Sequence, residues 1–146
     1  MSVPSWERDL SRTEYLYSLY KFNIRLGQII MGKPKKYREN YGDKIICTGL
    51  DALKFAQAAN SIYMCETTSN ADYERRRNYL LNALALVDNI STISEIFLSL
   101  NSRMDGASRE TIEKQQLYIG SESYKIHNLI KGVLERDKRI IRKQTV

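Results

Sequence analysis

Residues 79–100, YLLNALALVDNISTISEIFLSL, place an apolar or small side chain at alternating steps of four and three: Tyr79, Ala83, Leu86, Ile90, Ile93, Phe97 and Leu100. An α-helix turns once per about 3.6 residues, so this spacing lays one stripe along one face. Three more stretches carry the same period. Tyr15, Leu19, Phe22, Leu26 and Ile29 form the first, and Tyr41, Ile45, Thr48, Ala52, Phe55, Ala59 and Ile62 the second. The last keeps one heptad position at Ile112, Ile119, Ile126, Val133 and Ile140. A sustained mean step of about 3.5 makes helices cross at a shallow angle and interlock lengthwise. Four such stripes joined by short connections predict an all-α fold, an antiparallel up-down-up-down four-helix bundle.

The chain has 146 residues, enough for one domain with a real core, and only two prolines and seven glycines interrupt it. We assign residues 11–143 to the bundle, 1–10 to an N-terminal tail and 144–146 to a C-terminal tail. The longest wholly apolar runs are a few residues, which predicts no membrane-spanning helix. The start, Met1 to Asp9, lacks the basic and apolar segments of a signal peptide, so a cytoplasmic location is expected.

Punctuation sets the element bounds. Ser11 is a candidate N-cap for a first helix running to Met31, where Gly32-Lys33-Pro34 ends it. Proline suits a first helical turn, so Pro34 also opens the second helix, predicted from Lys35 to Cys65. Cys47 and Cys65 then sit about 27 Å apart at about 1.5 Å per residue, beyond disulfide reach, and read as reduced, packed thiols. Gly42, Gly49 and Ala56 recur every seventh residue on one face of that helix. They are a packing device or an oligomer contact, because small side chains let a neighbouring backbone approach. Residues 66–70 form a polar turn with Asn70 or Asp72 as cap. A third helix follows from Ala71 to Ser102, then a turn at 103–107, and Ser108 caps a fourth helix ending near Arg142.

Net charge is +6, which favours polyanions as partners. The topology gathers the cations at two ends. One end joins Arg75, Arg76 and Arg77 to Arg136, Lys138, Arg139, Arg142 and Lys143, with Arg8 and Arg12 near them. The turn end holds Lys33, Lys35, Lys36, Arg38 and Lys44, with Arg103 and Arg109 opposite. Solvated helix ends and polyanion contacts both fit these clusters. Three consecutive arginines point three ways around a helix, so at most two share a face. Tyr37 and Tyr73, beside the two clusters, could stack on an exposed base.

Catalytic constellations are missing. His127 is the only histidine, so any serine or cysteine triad must converge on it. Its place beside Ile126 predicts a partly buried flank residue. The fifth residue before it is Glu122, which removes the Arg-x4-His arrangement of endoribonuclease bundles. No Glu-x-x-His ligand set, glycine-rich phosphate loop or zinc-spaced cysteines occur. The expectation is no enzyme, no metal, no cofactor and no small-molecule substrate.

One stretch carries a family resemblance. Pro34-Lys35-Lys36-Tyr37-Arg38-Glu39-Asn40-Tyr41-Gly42-Asp43-Lys44-Ile45 resembles the PKxxRxxLGxxI opening of the second helix in accessory variability determinant (Avd) proteins of diversity-generating retroelements. It is equally similar to their relatives encoded in ribosomal RNA intervening sequences. Tyr41 stands where leucine is usual. Ile119-Gly120 followed by Leu129-Ile130-Lys131 is similar to that family's IG…WIK, without its tandem glycines or tryptophan. The resemblance implies a non-enzymatic homo-oligomer, a barrel-shaped pentamer with a basic surface. Its implied partners are a reverse transcriptase and nucleic acid, either template RNA or an RNA/DNA hybrid. It would assist mutagenic complementary-DNA synthesis.

Overall fold

The computed structural model describes residues 10–104 and 109–143. Four helices account for nearly all of them, and no strand occurs among the described residues. Helix α1 spans Leu10–Met31. Helix α2 comprises Lys35–Tyr37, a five-residue π-helical turn Arg38–Gly42, and Asp43–Asn60. Helices α3 and α4 are Asn70–Met104 and Arg109–Arg142. Residues 105–108 and both termini, with the expected cap Ser108 and the cation Arg8, lie outside the described residues, as do the side chains of Arg12, Tyr37 and Arg103.

Cross-helix contacts define the topology. Tyr15 Oη donates to the Ala56 carbonyl, while Gly49 faces Asn23 and Leu26, so α1 and α2 run antiparallel. Rings of Tyr41 and Phe97, and of Phe55 and Tyr79, pair α2 with α3 at centroid distances of 5.7 and 6.3 Å. Helices α3 and α4 meet through Asp88 with His127 and Ser99 with Gln116. Lys33 Nζ donates to Gln115 Oε1 and Phe22 meets Tyr118, which closes the ring between α4 and α1. The fold is an all-α four-helix bundle.

The α1 stripe is buried throughout, as are Ile112, Ile119, Ile126 and Val133 of α4. Elsewhere the deep register differs from the expected one. The buried line of α2 is Ile45, Gly49, Ala52, Ala56 and Ala59, and that of α3 is Arg76, Leu80, Ala83, Val87, Ile90, Ser94 and Phe97. Thr48, Phe55, Tyr79, Leu86 and Ile93 are only half-buried along the α2–α3 seam, and Leu100 is exposed. A bundle helix faces two neighbours, so its apolar face is wider than one stripe, and spacing alone does not say which edge is deepest. Tyr41 lies within the π-turn and is pushed partly outside, because the wider winding there displaces the register of α2.

Several bounds also move. Helix α2 stops at Asn60, not Cys65: Ser61 N–H reaches Gln57 O and Ile62 N–H reaches Ala59 O, after which Thr68 organises a loop. The Thr68 hydroxyl donates to Tyr63 O and accepts from Cys65 N–H. Ser69, rather than Asn70 or Asp72, caps α3: its hydroxyl accepts from Asp72 N–H at 3.1 Å, while the Asp72 carboxylate is taken by Arg75. Ser11 lies inside α1, which already includes Leu10. Helix α3 also departs from the membrane expectation. Over Asn70–Leu100 it is long and apolar enough by length and composition to cross a bilayer. About a third of that stretch is buried in the bundle, where α3 packs between α2 and α4.

A candidate polyanion groove between α3 and α4

Three arginines in succession open the site, and they have three fates. About 100° separates consecutive side chains on a helix. Arg75 turns outward to Asp72 at 3.0 Å. Arg76 turns inward and is 6 % exposed. Its guanidinium grips the buried Asp137 carboxylate through Nε and Nη2 at 2.5 and 3.3 Å. Nη1 donates to Ala59 O and Ile62 O at 3.2 and 2.8 Å, becoming a further partner for the Ala59 carbonyl, which already accepts from Ile62 N–H, and tying down the end of α2. Arg76 is therefore withdrawn from the surface cations: it is an internal brace joining α2, α3 and α4. Asp137 was legible as an oddity, because it extends the core line Ser123, Ile130 by one heptad.

Arg77 turns the third way, onto the α3–α4 seam. There it joins Tyr73, Leu81 and Leu84 from α3, and Lys131, Leu134, Glu135 and Lys138 from α4, around a groove of about 420 Å³. Lys131 and Lys138 lie seven residues apart, about 10.5 Å along one face of α4. Three cations thus surround an apolar floor against a single carboxylate, with a half-buried tyrosine ring beside them. Such a site neutralises phosphates and offers one aromatic face for stacking. Lys131 was not among the expected contacts, although its seven-residue step to Lys138 carried the signal.

The remaining cations do not join this groove. Arg136 lies on the opposite flank of α4, lining a cavity of about 250 Å³ with Tyr63, Met64 and the Arg76–Asp137 pair. Arg139, Arg142 and Lys143 are exposed or nearly so at the helix end. At the turn end, Lys35 and Lys36 point outward, Lys35 within 3.8 Å of Glu39. Arg38 is half-buried, with Nη1 beside the Met31 sulfur. Lys33 is buried and tied to Gln115, so it closes the turn.

Gly42, Gly49 and Ala56 are buried within the bundle, which removes them as an oligomer contact. A Cβ on Gly42 would come within 2.6 Å of Ile30 Cγ2, and one on Gly49 would strike the Asn23 amide oxygen. They exist for the close approach of α1. His127 is a flank residue as expected, its Nδ1 2.8 Å from Asp88 Oδ1. The cysteines are less buried than expected: Cys47 is exposed, and Cys65 sits in the 61–69 loop. Hydroxyls of Thr67 and Thr68 beside Cys65 hold its thiol below the usual range. No family model, curated protein or solved structure matches the chain.

Proposed function

We propose that this chain is a non-enzymatic accessory protein of a diversity-generating retroelement, which holds RNA or an RNA/DNA hybrid for a reverse transcriptase. The observation that carries the nucleic-acid part is the convergence of Arg77, Lys131 and Lys138 beside Tyr73 over an apolar floor. Phosphates would pair with the three cations, and an unpaired base would rest on the tyrosine ring. The reverse-transcriptase part rests on the Pro34–Ile45 resemblance.

The test is a filter-binding titration against structured RNA across a range of salt. Affinity should fall steeply with salt. The double substitution Lys131→Glu, Lys138→Glu should weaken binding and flatten the log–log slope by roughly 0.7–0.9 for each phosphate no longer neutralised. No binding at low salt, or binding indifferent to that pair, sinks the nucleic-acid reading. Copurification with a reverse transcriptase encoded nearby tests the remainder.

A further inference from the structure

The α3–α4 groove holds one group that phosphate contact alone leaves unexplained. Glu135 lines it together with Arg77, Lys131 and Lys138, yet none of these cations is ion-paired with it. Arg139, one turn further along α4 at the spacing that favours a Glu–Arg pair, is not joined to it either. A carboxylate left open in this position repels phosphate. It is also acceptor-only, so it attracts a group that presents N–H donors from within the groove.

The surroundings of Glu135 are apolar at its own level and cationic to either side. The Asp88–His127 contact fixes the levels of the two antiparallel helices. Seven residues back along α3 from Asp88 and seven on along α4 from His127, Leu81 stands level with Leu134. Both leucines are half-buried in the groove wall, and Glu135 adjoins Leu134. Lys131 comes four residues before Glu135 and Lys138 three after it, about 6 and 4.5 Å along the helix axis. The middle of the groove is thus an apolar surface with an acceptor at its edge and a cation above and below. Tyr73 is eight residues from Leu81, about 12 Å along α3, and serves a neighbouring base.

We propose that the groove takes single-stranded RNA and selects a guanine at its centre. The inference rests on the nucleic-acid reading above and adds base choice to it. Pairing hides the Watson–Crick edges of a duplex, whereas an unpaired base can lie on Leu81 and Leu134 and turn that edge to Glu135. Guanine presents N1–H and the N2 amino group side by side, two donors for the two carboxylate oxygens. Adenine and cytosine set one amino donor beside a ring-nitrogen acceptor, and uracil sets its N–H between two carbonyls. Each of these puts a lone pair against the carboxylate, and a polar group left mismatched in a binding site discriminates strongly. Lys131 and Lys138 neutralise the flanking phosphates and so offset the charge of Glu135.

Fluorescence anisotropy of the full chain with short labelled oligoribonucleotides tests this. The probes are an all-uridine strand and the same strand with its central uridine replaced by guanosine, inosine or adenosine. The guanosine strand should bind about tenfold tighter than the uridine and adenosine strands. Inosine, which keeps N1–H and lacks the amino group, should fall between. Glu135→Gln removes a negative charge and replaces one acceptor by a donor. It should tighten binding of the all-uridine strand while cancelling the preference for guanosine, two opposite movements that a folding defect does not produce. Equal binding of all four strands by the unaltered chain, or a guanosine preference that survives Glu135→Gln, overturns the proposal and leaves the nucleic-acid reading standing. Failure of every strand to bind at low salt overturns both.

Discussion

Deleting the Asp137 carboxylate would strand the Arg76 guanidinium in a pocket where it is 7 % exposed. Breaking a buried, doubly hydrogen-bonded pair from one side typically costs about 3–5 kcal/mol, so Asp137→Ala should lower the urea midpoint by that equivalent with an unchanged slope. Tyr15 offers a second test at this scale. Burial pushes its phenol up to about 12, with the nearby Arg76 charge acting the other way. A folded-state value raised above the ordinary 10 keeps the neutral ring favoured inside. That stabilisation is whole below about pH 10 and is lost as pH climbs through about 12, some 2–3 kcal/mol in all. Tyr15→Phe should flatten this alkaline loss in pH-dependent unfolding, at the cost of the hydrogen bond to Ala56 O. The Arg76 brace was only half legible: three neighbouring arginines guarantee different directions, but which one points inward depends on where Asp137 lies, sixty-one residues away.

At the scale of the helix, glycines separate two kinds of packing. Gly132 lies mid-helix in α4, exposed, with nothing within 4 Å of a Cβ. Alanine there removes unfolded-state freedom and meets no obstacle, so Gly132→Ala should stabilise by about 0.5–1 kcal/mol. Gly49→Ala should do the reverse, since the new methyl would collide with the Asn23 amide and force α1 away from α2. Thermal unfolding of the two variants should shift in opposite directions. The seven-residue recurrence of Gly42, Gly49 and Ala56 announced a close approach, yet a periodic row of small residues looks the same whether the neighbour is α1 or another molecule. Helix ends were easier to read, because their chemistry is local. Gly32-Lys33-Pro34 marks the α1–α2 turn and Arg142 the end of α4, as expected. The exception was α2, where the apolar Ile62 extended the pattern past the point at which Ser61 turns the backbone away.

For the molecule as a whole, the decisive matter is how its excess cations are distributed. The groove collects Arg77, Lys131 and Lys138, whereas Lys35 and Lys36 stand separately at the opposite end. If the groove is the polyanion contact, reversing Lys131 and Lys138 should weaken RNA binding far more than reversing Lys35 and Lys36 at the same net charge. Equal losses in a salt-matched titration would instead point to diffuse attraction by the basic surface. Lys138 shares its groove with Glu135, and Arg136 is turned to the far flank. The eight residues from Arg136 to Lys143 that read as one basic block are thus divided around α4.

The number of helices, their approximate bounds and their antiparallel order follow from the sequence alone, because a period near 3.5 and the chemistry of caps and turns act over a few residues. The depth of each position does not. Leu80 and Val87 lie at the centre while Leu86 and Ile93 lie at the seam, and Arg76 is enclosed while Arg77 borders a groove. Burial is set by which neighbour stands opposite and how closely it approaches, and those distances come from side chains remote in the chain. The backbone's own periodicity determined the rods, and only their mutual packing decided which faces they conceal.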